Sequence, residues 1–265
     1  MTHSIHPSAK QGFSASAELY QCVRPNYPEQ IVAYLKSRLN LSPKAHLLDL
    51  GTGTGKFLPY LKQLSHHIIA VDPIAEMLAQ LKFAHPDIEA VQGSSDHLSL
   101  ANESVDAVFC AQSFHWFANI NSLQEIDRVL KPDGCLVLIW NQRDTNIDWV
   151  KALANEIAPF EGDTPRYHTG LWRKAFDGQD VFTLTHETIM PFVHSGTVEN
   201  VVAKRLLSTS FIAKMSTSKQ QELKQRFEAI VQNYTAKTPQ DLIDFPYQTH
   251  VYIFAKMNHL SHTMD

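Results

Sequence analysis

Apolar positions between residues 45 and 140 fall into short runs separated by helical spacings. The runs are His46–Leu50, Ile68–Val71, Ile88–Val91, Val105–Ala111 and Cys135–Trp140. They are short and several are rich in β-branched or aromatic side chains, the pattern of buried parallel strands. Between them, Phe57, Leu58, Leu61 and Leu64 share a helical spacing, as do Met77, Leu78 and Leu81. Leu123, Ile126 and Val129 repeat it, with Asn121 as the expected N-cap. This alternation predicts crossover units and an α/β fold with a doubly wound, mostly parallel sheet.

Ahead of this block, Pro28 opens a helix that sets Ile31, Leu35 and Leu39 on one face. Pro59 requires the first crossover helix to start late or to forfeit a hydrogen bond. After the block, Trp149–Phe160 reads as a helix and Phe182–Val193 as a strand that Pro191 confines to an edge. Thr197–Leu207 and Ser216–Tyr234 read as helices, and Gln248–Ala255 alternates like a final strand. The expected plan is therefore seven strands with a C-terminal helical cap. Residues 1–28 form a segment covering the site, 29–145 the ligand-binding core, and 146–265 the rest of the same domain. The cap is expected at about 197–234 and the last strand at about 248–255.

Composition narrows the function classes. The 265 residues suit one domain with a cap, and 44% hydrophobic with 19% charged residues is ordinary for a globular chain. A net charge of −4 argues against a partner held mainly through phosphates, so no nucleic acid is expected. Cys22, Cys110 and Cys135 lie far apart without disulfide or zinc spacing. The start of the chain lacks the layout of a signal peptide, and no apolar run is long enough for a membrane span; the expected location is cytoplasmic. The 14 histidines, including His3, His6, His259 and His262 in polar tails, form no metal-binding motif, and no metal is expected.

The central signal is Leu47-Leu48-Asp49-Leu50-Gly51-Thr52-Gly53-Thr54-Gly55, a buried strand running into alternating glycines and a helix start. Such a loop lets the backbone approach a ligand closely. A P-loop fails here, because Leu50 and Phe57 stand at required glycine and hydroxyl positions. A dinucleotide fingerprint is weak, because Lys56 holds the place of its third glycine. Asp/Glu-x-Gly-x-Gly-x-Gly is satisfied in full.

That motif resembles the loop of class I S-adenosylmethionine-dependent methyltransferases, and the likeness runs in order from Leu47 to Trp140, through Leu130-Lys131-Pro132-Asp133-Gly134. It implies a Rossmann-like fold and S-adenosyl-L-methionine as cofactor. Asp49, Gly51, Thr52, Gly53 and Gly55 would hold it, and Asp72 would take both ribose hydroxyls, followed by Pro73 and Met77. The competing role for Asp72 is a helix N-cap. Val91-Gln92-Gly93-Ser94-Ser95-Asp96 resembles the loop that cups the adenine, with Ser95 and Asp96 near the base. Ser94 stands where the family usually has an acidic residue.

The end of the fourth strand, Gln112-Ser113-Phe114-His115-Trp116, resembles a small-molecule subgroup that includes the trans-aconitate methyltransferase-like proteins of yeast. Tyr20, Arg24-Pro25-Asn26-Tyr27-Pro28 and Trp140-Asn141-Gln142-Arg143 strengthen that likeness. It implies Gln112, Tyr20 and Arg24 at the cofactor and His115 and Trp116 as the catalytic pair. Tyr27, Trp140, Asn141, Arg143 and Arg205 would meet the acceptor, with Arg166 a further candidate for gripping an acid. His115 is open at this point to three roles: general base, hydrogen-bond donor or packing residue.

Methyl transfer is an in-line displacement in which alignment is worth roughly 7–11 kcal/mol. A base is needed only when the nucleophile arrives protonated. The expectation is a small-molecule methyl acceptor, O-methylated on a carboxylic acid or hydroxyl by a monomer or homodimer without a membrane partner. The alternatives are a non-catalytic module that binds S-adenosylmethionine and a methyltransferase acting on RNA or another macromolecule. The second lacks the Asn/Asp-Pro-Pro-Tyr/Phe motif after strand four. A nicotinamide dehydrogenase is disfavoured by Lys56.

Overall fold

A computed structural model of the chain describes residues 22–257. One seven-stranded sheet runs in the order β3-β2-β1-β4-β5-β7-β6. β1 (His46–Leu50), β2 (His67–Asp72), β3 (Glu89–Gln92), β4 (Val105–Ala111) and β5 (Leu130–Arg143) are mutually parallel. β7 (Leu242–Lys256) runs antiparallel between β5 and β6 (Phe182–Thr197). β6 takes the edge, where Pro191 has no inner ladder to interrupt.

Successive side chains of a strand point to opposite faces, so the central strands are largely apolar on both. Leu47 packs with Ile31 and Leu35 of α1 (Gln30–Leu39), Leu58 and Leu61 of α2 (Leu58–Leu61), and Leu78 and Leu81 of α3 (Ala75–Ala84). Its neighbour Leu48 lies on the other face with Leu123, Ile126 and Val129 of α4 (Ile120–Val129). Strand order reverses between β1 and β4, and the crevice beyond their carboxyl ends is where ligands bind in such sheets.

A third core carries the cap. α5 (Asp148–Ile157) and α8 (Thr217–Thr235) pack with the wide π-type turn Val198–Lys204 and with Ile243, Phe245 and Tyr247 of β7. Two short helices, α6 (Arg205–Leu207) and α7 (Ser210–Ala213), connect this turn to α8. β7 is longer than expected: it starts at Leu242, and Leu242–Pro246 pair with β6 alone. The resulting ribbon projects beyond β5 and supports the cap.

Smaller corrections follow from local geometry. α4 is capped by Asn119, not Asn121, because the chain is still extended there (φ −150°) and the Asn119 side chain accepts from Ser122 N–H at 3.0 Å. Pro59 needs no sacrificed bond, since α2 starts at Leu58 and places the proline in its first turn. The expected helix Thr197–Leu207 is divided between the π-type turn and α6. Among the described residues, no helix is long and apolar enough to cross a membrane.

Candidate active site

The loop after β1 and the ends of β2 and β4 enclose one cleft, lined by Asp49, Gly51, Thr52, Gly53, Asp72, Pro73, Met77, Gln112 and Trp116 among others. Nine residues expected at the cofactor or the reaction thus converge. Gly51 has φ +69°, and a Cβ there would stand 2.4 Å from Ser113 Cβ, so only glycine lets the β1 loop meet β4. Ser113 Oγ in turn donates to Leu50 O at 2.7 Å. Gly53 has φ +57° and nothing within 4 Å of a notional Cβ, leaving open space on its cleft side.

Two carboxylates organise this cleft. Thr52 Oγ1 donates to Asp49 Oδ2 at 2.7 Å, while the buried Asp49 Oδ1 has no partner among the described residues. Asp72 accepts from Gly53 N–H at 2.8 Å and Ile74 N–H at 2.9 Å, one bond to each oxygen. The remaining lone pairs can take two hydroxyls. Asp72 does not cap α3, whose N-cap is Ile74 with no side-chain cap bond. Burial pushes Asp49 up to about 7, opposed by the Thr52 hydrogen bond and reinforced by Asp72. Burial also raises Asp72 to about 6, against the stabilising Ile74 and Gly53 bonds. Lys56, which in the sequence weighs only against a dinucleotide fingerprint, is a cation lining the cleft.

A second pocket adjoins the first and shares Gln112 and Trp116 with it. Arg24, Arg143, Arg166 and Arg205 line it, with His115, Trp140, Asn141, Tyr167, His168 and Ser210. Arg205 is 7% exposed, yet its Nε and Nη1 have no hydrogen-bond partner among the described residues. The buried Ser210 hydroxyl, also in the lining, has none either. Burial, then Arg166 and Arg205, push Arg143 down to about 10, so it remains a cation at neutral pH. A buried cation without a counter-charge is costly, and unpaired donors of Arg205 and Ser210 in one lining suit an anionic ligand.

Several expected positions move. Arg24 stands in the arginine pocket rather than at the cofactor, because its guanidinium donates to Ser208 O at 2.6 Å and Ser208 Oγ at 3.0 Å. Tyr27 moves the other way, into the first cleft, where its ring meets Phe57 and Tyr60 edge-on. Ser95 and Asp96 do not line the cleft: Ser95 Oγ is joined to Ser122 Oγ at 2.9 Å, which draws their loop toward α4. Asn141 is fully engaged, donating to Asn26 O at 2.8 Å and accepting from Thr249 Oγ1 at 2.6 Å, so it fixes the entering chain. Tyr20 lies outside the described residues. Arg166, Tyr167, His168 and Ser210 complete the pocket; only the first had a signal in the sequence, as an isolated arginine.

The comparisons agree with this architecture. Residues 48–138 match the family described as a methyltransferase domain. A Schizosaccharomyces pombe protein named uncharacterized methyltransferase-like C25B8.10 is 34% identical over 240 residues, covering 89% of this chain and 92% of its own length. The solved structure of a protein designated a type II methyltransferase from Anaeromyxobacter dehalogenans superposes with a TM-score of 0.63 at 18% identity, covering 88% of this chain and 96% of that one. Phosphoethanolamine N-methyltransferase 2 of Haemonchus contortus, solved with phosphomonomethylethanolamine and S-adenosylhomocysteine, gives 0.54 at 13% identity, covering 97% of this chain and 61% of that one. These last two likenesses concern the fold.

Proposed function

This chain belongs to the class I methyltransferases, and on that premise we propose that it moves the methyl group of S-adenosylmethionine to an oxygen of a small molecule bearing several negative charges. The carrying observation is the arginine-lined pocket opening beside the cofactor cleft, with Arg205 buried and unpaired. Bound S-adenosylmethionine supplies an electrophilic methyl on a positively charged sulfur. Asp72 accepts its ribose hydroxyls, and the unpartnered Asp49 Oδ1 and Lys56 suit the amino and carboxylate ends of its amino-acid portion. Arg143, Arg166 and Arg205 hold the acceptor's acidic groups through charge-assisted hydrogen bonds. Gln112 and Trp116 border both compartments and bring nucleophile and methyl into line.

An amine acceptor, as the nematode enzyme's name describes, fits poorly. The four arginines would repel a protonated amine, and the pocket offers it no carboxylate. The test is transfer of radiolabelled methyl from S-adenosylmethionine into di- and tricarboxylic acids, phosphate monoesters, polyamines and RNA. The expected product is a base-labile ester of an acid with two or more carboxylates. Labelling of amines or RNA, with none of any acid, overturns the proposal.

A further inference from the structure

We infer that His115 offers the acceptor a fixed Nε2–H donor, so that the methylated group is a carboxylate already ionised in solution and no side chain takes a proton from it. This rests on the acidic-acceptor reading above and adds which atom of the site meets the reacting group.

The argument begins at Trp140, whose indole nitrogen is a donor and never an acceptor. Its Nε1 lies 3.0 Å from His115 Nδ1. Trp140 is fully buried, with the rings of Tyr167 and Trp172 each 4.7 Å away, and has no room to turn. Nδ1 must therefore keep its lone pair for the indole, and the single imidazole proton sits on Nε2. A base would need the opposite tautomer or a second proton on Nδ1. Either change sets two N–H groups against each other.

The surroundings act in the same direction. Arg24, Arg166 and His168 face the ring, Arg143 and Arg205 line the same pocket, and Trp116 packs beside it. Burial and then those first three groups push His115 down to about 3. Other candidate bases are engaged. Glu161 pairs with His168 at 3.1 Å and Arg166 at 3.6 Å, and Tyr167 shares a 2.7 Å hydrogen bond with Tyr252.

The reaction balances without a base. A carboxylate lone pair forms the O–CH3 bond, the CH3–S bond breaks, and its electron pair remains on sulfur. An anion and a sulfonium become a neutral ester and a thioether, with no proton transferred. A hydroxyl acceptor would have to lose a proton that His115 cannot accept.

Two measurements test the inference. In long-range 15N–1H spectra of histidine-labelled protein, with His115→Gln identifying the signal, a bare Nδ1 and a protonated Nε2 are expected to persist from about pH 5 to 9. A His115 signal that titrates near neutrality, or the opposite tautomer, overturns the inference whatever the acceptor is. In turnover, His115→Gln keeps an amide that can accept from Trp140 or donate to the acceptor, so it should retain clearly more activity than His115→Ala. His115→Ala should lose about 10–100-fold in kcat/KM, with affinity for S-adenosylhomocysteine unchanged. If Gln is as inactive as Ala, and the wild-type kcat/KM rises through about pH 6.5, His115 is a base. Absence of methyl transfer to any acid in the wild type would instead overturn the acceptor reading, leaving the spectra to decide the tautomer.

Discussion

The two compartments of the site are opposite in charge and in the way the chain builds them. The cofactor cleft is acidic, organised by Asp49 and Asp72, and comes largely from the loop after β1, the end of β2 and the end of β4. The acceptor pocket is cationic and draws on Arg24, the end of β5, residues 166–168 and the cap around Arg205 and Ser210. On the proposed function, a sulfonium donor and an anionic acceptor would each be matched to their own side. The overall charge of −4 hides this separation, because the arginines converge only in three dimensions. On the proposed function, the half built from contiguous motifs fixes the chemistry supplied, while the half assembled from scattered residues selects what receives it.

Breaking one side should leave the other intact. Asp72→Ala removes two ribose contacts and leaves Gly53 N–H without its acceptor. Charge-assisted hydrogen bonds contribute about 1.5–3 kcal/mol each, so affinity for S-adenosylhomocysteine should fall at least ~100-fold in titration calorimetry. Saturation transfer from the protein to a bound tricarboxylate should persist. Loss of both signals would mean that the compartments are not independent.

Arg205→Met makes the reverse cut. The expected loss is about 10–100-fold in kcat/KM for an acidic acceptor, with cofactor affinity unchanged. It should also raise the Tm of the free protein, because an apolar side chain of similar length replaces a buried, unpaired cation. Reduced stability together with unchanged turnover would make Arg205 a structural residue.

The same division explains what could be read from the sequence. β1, β2, β4 and the glycine loop announce themselves through local patterns, and Asp72 follows by its position at a strand end. The acceptor pocket has no such pattern. Arg205 looks like any helical charge until the π-type turn before it and the cap core bury it. Arg24 is expected at the cofactor, but its partner Ser208 is 184 residues away. Ser95 stands away from the cleft lining for a similar reason, since its bond to Ser122 spans two elements. The early start of β7 follows the alternation Ile243, Phe245, Tyr247, which lies ahead of the expected start at Gln248.

Acidity sharpens the contrast further. Asp49 and Asp72 are held near 7 and 6, above the ordinary 3.8, so the folded protein binds their protons more tightly than the unfolded chain. Their contribution to stability is greatest below about pH 4 and is lost as pH rises through about 6 to 7. Cofactor binding has the opposite dependence, because the ribose hydroxyls donate to an ionised Asp72. Stabilisation by S-adenosylhomocysteine in thermal unfolding should therefore grow from about pH 5 to 8, with affinity changing at most ~10-fold per pH unit. Asp72→Asn should weaken that dependence, leaving the part due to Asp49, whereas Arg205→Met should leave it in place.

The smallest effect concerns the residue both compartments share. Gln112 has φ +61°, a left-handed backbone that costs a non-glycine residue about 1 kcal/mol. Its backbone N–H donates to Ile139 O at 2.8 Å and its side chain reaches Asn141 O at 3.4 Å, so the strained turn ties β4 to β5 where donor and acceptor meet. Gln112→Gly relieves the strain but removes the side chain from the junction. The protein should gain up to about 1 kcal/mol in denaturant unfolding. Cofactor and acceptor should each bind within about threefold of the wild type, while kcat falls about tenfold from poorer alignment. If kcat holds, Gln112 borders the two pockets without aligning their contents, and Trp116 becomes the side chain on which the junction depends.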